Sequence, residues 1–303
     1  MSSVLSDKHF HNEAEAYKWV EARVWPQGPT CPHCGGVERI SKMEGKSTRM
    51  GVYKCYQCRK PFTVKVGTVF ESSHVKLHLW LQAMFLMASS KKGVSSNQLH
   101  RTLGVTLKTA WFMSHRLRLA MQTVGIEPMG GAGEIVEIDE TFIGNIPGIP
   151  HKQGGTAHKH VVMTLVQRGG GARSFHVSST RRHDVEPIAK AHVHPDTFVM
   201  TDEATHYQKL HTMFAKHDAV NHSKDEYVRG IVSTNSVEGF YSIFKRGMKG
   251  IYQHCSEQHL HRYLSEFDFR YSHRVALGIN DEGRTSRMVQ GIVGKRLKYR
   301  TVN

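Results

Sequence analysis

Three acidic residues, far apart along the chain, have the side chains that hold divalent metal ions in enzymes acting on phosphodiesters. Asp139 follows the apolar residues Ile135, Val136 and Ile138, and Asp202 follows Phe198, Val199 and Met200. A carboxylate that ends a buried strand is costly to desolvate unless it is paired or binds a cation. Carboxylate oxygens select Mg²⁺ or Mn²⁺, and two such ions promote in-line displacement at phosphorus. Glu238 would supply a third carboxylate, although the pattern alone also fits three unrelated acids.

Glu238 lies in a segment with a clear helical period. Its polar face carries Asn235, Glu238, Ser242 and Lys245, and its apolar face carries Val237, Phe240, Tyr241, Phe244 and Met248. Glu238 and Lys245 are two turns apart, which is too far for the usual ion pair between residues three or four apart. We therefore expect both to face one ligand, with a metal ion at Glu238 and a phosphate at Lys245.

Four of the five cysteines form two Cys-x2-Cys pairs, in CPHCGG and CYQCRKPF. Each pair presents two thiolates from a tight turn, and four thiolates complete the tetrahedral shell of a structural zinc ion. The sequence therefore predicts a zinc ribbon with the ligands Cys31, Cys34, Cys55 and Cys58. Disulfides or an iron–sulfur cluster are the alternatives. We expect Cys255 to be a reduced core thiol.

The positive charge of the chain is concentrated in its first part. The net charge is +15, and no acidic residue occurs between Ser72 and Gly125. A basic N-terminal region joined to a nearly balanced C-terminal region favours a module that binds a polyanion, with nucleic acid the expected partner. No segment has the composition of a signal peptide or the length of a membrane-spanning helix. The sequence therefore predicts a cytoplasmic protein with no membrane partner.

Two helices joined by a short turn are expected between 93 and 121. A serine at 95 or 96 can cap the first, Gly104 can end it, and the second can begin near Thr106. This arrangement favours a helix-turn-helix, whose second helix enters the major groove by its N-terminal part. The predicted DNA contacts are Lys108, Thr109 and either Ser114 or His115.

From residue 129 onward the pattern mixes strands and helices along the chain, which predicts an α/β domain. A helix is also expected at 12–25, and another at 76–90. Strands are expected at 134–142, 159–166, 173–179, 197–202 and 219–222, and helices at 184–192, around 207–214, near 235–248 and from Ser256.

Several blocks, taken in order, resemble bacterial DDE insertion-sequence transposases related to the eukaryotic Merlin elements. The resemblance covers about residues 12 to 275. It rests on CPHCGG, YKCYQCRKPFTVKVGTVF, VEIDETFIGN, TDEATHY and STNSVEGFYSIFKRGMKGIYQHCSEQHLHRYLSEFDFRYSHR. It implies an RNase H-like catalytic domain with a mixed sheet, preceded by a zinc ribbon and a helix-turn-helix.

The resemblance also implies roles for individual residues. The catalytic carboxylates fall on Asp139, Asp202 and Glu238, which would bind Mg²⁺ or Mn²⁺, and Lys245 is the associated basic residue. Some relatives have another residue in place of the third glutamate, so Asn235, one turn away, is kept as a neighbour that orients Glu238 or DNA. Glu140, Glu203 and nearby histidines are expected to be structural or to face DNA.

The predicted domains are the N-terminal helix and zinc ribbon at 1–70, the helix-turn-helix region at 71–128, the transposase domain at 129–275 and a basic tail at 276–303. The implied function is binding of terminal inverted repeats, cleavage to leave 3′-hydroxyls, and transfer of those ends into target DNA. A nuclease or resolvase without strand transfer and a non-catalytic DNA-binding regulator are the alternatives. Pairing of two ends implies a homodimer or larger assembly, associated with the nucleoid.

Overall fold

The computed structural model describes residues 3–123, 127–151 and 155–298, which fall into two compact units. The first unit contains the residues up to Ser90, Val94–Gln122 and the residues from Ile279 onward. The second contains Lys91–Gly93 and Thr123–Gly278. The chain therefore returns to its first unit after completing the second.

The first unit begins with helix α1 (Glu13–Val24), which is capped by Asn12. The side chain of Asn12 accepts hydrogen bonds from the N–H groups of Ala14 and Glu15, as the residue type predicts. An antiparallel sheet follows, in the order β1 (Ile40–Lys42), β2 (Tyr53–Cys55) and β3 (Pro61–Phe62). The last strand ends at Phe62, because the chain then enters successive turns.

Three helices complete the N-terminal part of this unit: α2 (Leu77–Ser89), α3 (Ser96–Leu103) and α4 (Leu107–Met121). Ser95 caps α3 by accepting a hydrogen bond from the N–H of Gln98, and Gly104 ends it at φ 65°. A left-handed residue at that place favours glycine. The hydroxyl of Thr106 caps α4. The predicted pair of helices is therefore confirmed, with the expected caps.

The second unit is built on a five-stranded mixed sheet in the order β6-β5-β4-β7-β8. Its strands are β4 (Ile135–Ile143), β5 (His160–Gln167), β6 (Ala172–Val177), β7 (Phe198–Thr201) and β8 (Lys216–Ala219). The first three strands pair antiparallel, whereas β4, β7 and β8 pair parallel. The predicted α/β domain with a mixed sheet is therefore confirmed, with β4 at its centre.

Each face of this sheet has its own core. One face packs against helix α5 (Arg182–His192), with Ile138, Met163 and Val185 among its buried residues. The other face packs against α6 (Asn235–Gly247) and α7 (Glu257–Ser272). Phe240 and Phe244, predicted for the apolar face of α6, are buried there. No described helix in either unit is both long enough and apolar enough to cross a membrane.

The short elements between α5 and α6 differ from the prediction. The expected helix around 207–214 is two single turns of 3-10 helix, Thr205–Tyr207 and Leu210–Thr212. Strand β8 begins three residues earlier than the strand expected at 219–222, because pairing with β7 fixes its position. A hairpin of β9 (Val228–Arg229) and β10 (Val232–Ser233) was not predicted. Elements this short have no periodic signal, so tertiary contacts decide them.

The C-terminal segment also differs from the basic tail that the sequence suggested. It contains helix α8 (Asp281–Gln290), which packs against α1 and α2 of the first unit. Met288, Val289 and Ile292 are fully buried, and the guanidinium of Arg284 donates a 2.7 Å hydrogen bond to the carbonyl of Ala88. Three apolar residues near the end of a polar segment give too weak a pattern to predict this packing.

We predict that Met288→Ala destabilises the first unit by about 2–5 kcal/mol, because it removes a buried side chain and leaves a cavity. Chemical denaturation of the purified protein would measure this change. Arg287→Ala on the exposed side of the same helix is the matched control and should change stability by less than about 0.5 kcal/mol. Equal effects of the two substitutions would show that α8 does not pack as described.

Candidate active site

The two aspartates lie on neighbouring parallel strands at the same level. Strands β4 and β7 pair from Ile135 with Phe198 to Glu137 with Met200. Two residues further along this register, Asp139 is level with Asp202, which directly follows β7. Neighbouring strands are about 4.8 Å apart, so the two carboxylates start from adjacent positions. Asp139 lies in the middle of β4 rather than at a strand end as predicted, but the shared level supports the expected convergence.

Glu137, which was not predicted to have a role, fixes the start of helix α6 against β4. Its carboxylate is fully buried and accepts hydrogen bonds of 2.7 and 3.0 Å from the N–H groups of Ser236 and Val237. The hydroxyl of Ser236 donates a third bond of 3.0 Å. A carboxylate at a helix N-terminus satisfies unpaired N–H groups and interacts favourably with the helix dipole. Glu137 therefore sets where Glu238 stands relative to Asp139, two residues further along the strand.

Arg168 completes the partners of the buried Glu137 carboxylate. Its Nε lies 2.6 Å from Glu137 Oε1, and its other nitrogens donate to the carbonyls of Ile231 and Ser233 and to the hydroxyl of Ser233. A fully buried carboxylate is stable only when it is paired and hydrogen-bonded in this way. One arginine therefore links β4 to strand β10, which leads directly into α6.

Glu238 stands in the first turn of α6 with its side chain 47% exposed. The hydroxyl of Thr234 donates a 2.8 Å hydrogen bond to Glu238 Oε1, and Nε2 of His222 lies 3.7 Å from the same oxygen. The carboxylate is therefore oriented but remains open on one side. Asn235 is exposed at the first position of the same helix.

Tyr241 connects the same helix to the backbone at Asp139. Its hydroxyl is close to the carbonyls of Asp139, at 2.6 Å, and Val162, at 3.2 Å, and can donate to either. Burial, with the nearby charge of Asp139, raises the pKa of Tyr241 well above its ordinary value, so the phenol keeps its proton. Helix α6 is therefore fastened to β4 at two places, by Glu137 at the start of the helix and by Tyr241, one turn later, at Asp139.

Burial and the surrounding carboxylates raise the pKa of Asp139 to about 8. Burial is the largest cause, followed by the charges of Glu140 and Asp202, with a smaller contribution from Glu238. A cluster of carboxylates that resists ionisation is suited to a divalent cation, whose charge would reverse that effect. The oxygens of the triad do not all lie within 4.8 Å of one another, so it differs from the two tighter groups found among the described residues.

Two neighbouring glutamates have structural roles, as expected. Glu140 faces the opposite side of the sheet, where it accepts a 2.5 Å hydrogen bond from Tyr207 and contacts His206 at 3.1 Å. Glu203 accepts bonds from the N–H groups of His222 and Ser223, and the hydroxyl of Ser223 lowers its pKa, to about 2. Glu203 thus holds the turn that places His222 beside Glu238.

Lys245 lines a positively charged cleft of about 410 Å³ at the far end of α6. Lys159, Lys249 and His160 line the same cleft. Lys245 is exposed, two turns from Glu238, and its ammonium is 6.0 Å from the centre of the Tyr241 ring. Three lysines at one cleft provide the charge needed to bind a phosphate backbone.

The four predicted zinc ligands meet in the first unit. The sulfur atoms of Cys31 and Cys58 are 3.6 Å apart, and those of Cys34 and Cys55 are 3.7 Å apart. Tetrahedral zinc with Zn–S bonds near 2.3 Å requires sulfur atoms about 3.8 Å apart, so the cluster fits the ion. Hydrogen bonding from the backbone of Cys58 is the main cause that lowers the pKa of Cys55 to about 7. A thiol with a lowered pKa more readily provides the thiolate that binds metal.

The predicted DNA contacts on α4 are only partly accessible. Lys108 is exposed and Thr109 is half-buried in the first turn. The prediction of Ser114 or His115 is wrong for this structure, because both are buried, and the His115 ring packs against Trp111 at 4.3 Å. Trp111, 36% exposed and one turn after Lys108, lies on the accessible side instead.

Comparison with known proteins agrees with this division of the chain. Residues 131–272, which contain the three acids and Lys245, match the family model of the ISXO2-like transposase domain. Residues 11–61, which contain the four zinc-ribbon cysteines, match that of the transposase zinc-ribbon domain. The chain therefore contains a transposase zinc ribbon followed by an ISXO2-like transposase domain. This transposase is also 26% identical over 279 residues to an uncharacterized protein in transposable element ISH50 of Halobacterium salinarum, covering 87% of this chain and 92% of that protein.

We predict that Asp139→Asn stabilises this transposase at pH 8 when no divalent cation is added. The folded state holds the Asp139 proton up to about pH 8, whereas the unfolded state releases it near its ordinary value of 3.8, so stability falls as pH rises between the two. Asparagine removes this loss, so the free energy of unfolding at pH 8 should rise by at least about 1.4 kcal/mol, which is the free energy that corresponds to one pKa unit. Urea denaturation at pH 5 and pH 8 would measure it.

The gain should shrink toward pH 4, and the exposed Asp196→Asn should show no such pH dependence. A gain that is the same at both pH values would contradict the raised pKa.

We predict that Glu137→Gln destabilises the second unit by about 3–5 kcal/mol, because it removes one partner of a buried ion pair. An amide also presents a donor where the carboxylate accepted from the α6 N–H groups. Circular dichroism during thermal unfolding would measure the change. Glu134→Gln, at an exposed position just before the same strand, is the control and should have little effect. Equal stability of the two variants would contradict the role of Glu137.

Proposed function

We propose that this transposase cleaves DNA at the ends of its insertion sequence and transfers the resulting 3′ ends into target DNA. The observation that carries the proposal is the shared level of Asp139 and Asp202 on neighbouring parallel strands, with Glu238 on a helix fastened to the same strand. The match to a transposase domain supports the same reaction class.

Asp139, Asp202 and Glu238 are proposed to hold two Mg²⁺ or Mn²⁺ ions, for which oxygen donors are suited. Such ions, when bound, activate the attacking oxygen and stabilise the leaving oxygen in displacement at phosphorus. The raised pKa of Asp139 supports this assignment, because a bound cation would offset the burial and the neighbouring charges that oppose its ionisation. Thr234 and His222 orient the Glu238 carboxylate.

Lys245 is proposed to bind a DNA phosphate next to the cleavage site. It projects from the same helix as Glu238, and Lys159 and Lys249 extend the positive charge along the cleft. This arrangement would align a strand with the carboxylates, because each lysine contacts phosphate without reading the base.

The second unit is proposed to be RNase H-like. Support comes from its mixed sheet, in which three antiparallel strands are followed by two parallel ones, with the first carboxylate on the central strand. Helices pack on both faces of this sheet, and the second carboxylate, Asp202, directly follows the end of β7.

The helices α3 and α4 are proposed to act as a helix-turn-helix that binds the terminal inverted repeats. The tight turn at Gly104 and the exposed Lys108 at the start of α4 support this assignment. Thr109 is kept as a contact, and Trp111 replaces the buried His115 as the residue one turn further on. The basic charge of the first 125 residues would add contacts to the DNA backbone. Because two ends must be held together, the active form is proposed to be a homodimer or larger.

The reaction is tested by mixing the full-length protein with DNA ending in the element's inverted repeat, a target plasmid, and Mg²⁺ or Mn²⁺. Joined products are expected. Nicking without joining would instead identify a nuclease, and binding without either would identify a regulator.

Asp139→Asn, Asp202→Asn and Glu238→Gln should each reduce strand joining by about 100-fold or more, the usual effect of removing one transition-state interaction. DNA binding measured by gel shift should change little. The exposed Asp196→Asn controls for loss of charge. If Glu238→Gln remained active while Asn235→Ala were inactive, Glu238 would not be the third ligand.

A further inference from the structure

A second group of metal-binding side chains lies in the catalytic unit, away from the acidic triad. It consists of His160 at the start of β5, His176 in β6 and Glu257 at the start of α7. One ligand atom of each residue lies within 4.8 Å of a ligand atom of each of the other two, as do the sulfur atoms of the four ribbon cysteines. In the described part of the chain, these are the only two groups of His, Cys, Asp or Glu side chains that come this close together.

The sheet explains why the two histidines are neighbours. His176 pairs with Val162, two residues after His160, so both imidazoles belong to adjacent positions on β5 and β6. Val162 belongs to the core under α6 and α7, and side chains alternate along a strand, which directs His160 and His176 to the same face. Their ring centres are 5.2 Å apart and the planes are nearly perpendicular.

Burial and hydrogen bonding leave these groups available as ligands. His160 is only 6% exposed. Among the described residues, no hydrogen bond engages either imidazole of His160 and His176 or the carboxylate of Glu257. His160 also lines the cleft that contains Lys245, so an ion can reach this group from solvent.

The donor set indicates which ion would fit. Two imidazoles and one carboxylate suit Zn²⁺ and similar transition metals, whereas Mg²⁺ prefers oxygen ligands and near-ideal octahedral geometry. Zinc bonds of about 2.0–2.2 Å require ligand atoms roughly 3.3–3.5 Å apart. Side-chain rotations of about 1 Å would close the present group onto such an ion, with water or His261, one turn after Glu257, at the fourth position.

The site is separate from the proposed catalytic ions. His160 on β5 pairs with Ile143 on β4, whereas Asp139 on β4 pairs with Thr164 on β5. His160 and Asp139 are therefore four residues apart along the strands, which corresponds to about 13 Å.

We propose that His160, His176 and Glu257 bind a zinc-class transition-metal ion that fastens the start of α7 to the edge strand of the sheet. Helix α7 is already held near its other end, where Asp268 accepts hydrogen bonds of 2.8 and 2.6 Å from the N–H and hydroxyl of Ser174. The metal would add a second point of attachment at its beginning. That beginning follows the turn Met248–Tyr252, which continues from α6, the helix of Glu238 and Lys245.

The test is a Co²⁺ titration of tag-free, full-length protein from which metal has been removed under reducing conditions, with excess Mg²⁺ present to occupy the proposed site at the acidic triad. The first equivalent should produce the thiolate-to-cobalt absorption of the ribbon. A second equivalent should add visible cobalt bands without further thiolate absorption, and Zn²⁺ should displace it. Saturation after about one equivalent would overturn the proposal.

Glu257→Gln and His176→Ala should each abolish the second equivalent and leave the thiolate absorption unchanged. Glu257 is exposed, so its substitution should not disturb folding. His192→Ala is the matched control, because this half-buried histidine packs on Phe175 of the same strand from the opposite face, and it should retain both equivalents. A second equivalent that survives in Glu257→Gln and His176→Ala, or that is lost in His192→Ala, would show adventitious binding and overturn the proposal.

Discussion

The buried carboxylate of Glu137 is the interaction on which the geometry of the candidate active site depends. It is satisfied by Arg168 and by the first N–H groups of α6, so the strand cannot move relative to the helix without leaving a charge unpaired. Such a loss is large compared with the net stability of a domain. Because side chains alternate along β4, the same interaction that fixes Glu137 also turns Asp139 toward the α6 side of the sheet.

Fixing the carboxylates in this way creates electrostatic strain. Burial and the neighbouring acids raise the pKa of Asp139 to about 8, so this fold disfavours its charged form. Functional sites commonly carry such strain, which the rest of the fold must offset. Here the aromatic core beneath α6, with Phe240, Phe244 and Phe267, holds the helix in place.

Neighbouring acids of the same type have different roles because of the face they occupy. Asp139 and Glu140 are adjacent in sequence, yet Glu140 points to the other side of the sheet and is engaged by Tyr207 and His206. Asp202 and Glu203 are also adjacent, and Glu203 holds the turn at His222. Composition and motif spacing do not separate such pairs, whereas strand alternation and hydrogen-bond partners do.

The sequence by itself determined the elements with strong local signals. The paired cysteines, the capped helices α3 and α4, the apolar strands of the sheet and the face of α6 that carries Glu238 all follow from spacing and periodicity. The tertiary structure alone decided the features that depend on distant partners. These include the shared level of Asp139 and Asp202, the role of Glu137, the burial of His115, and the packing of α8. The reason is physical: a local pattern records which face of an element is apolar, but only packing determines what that face meets.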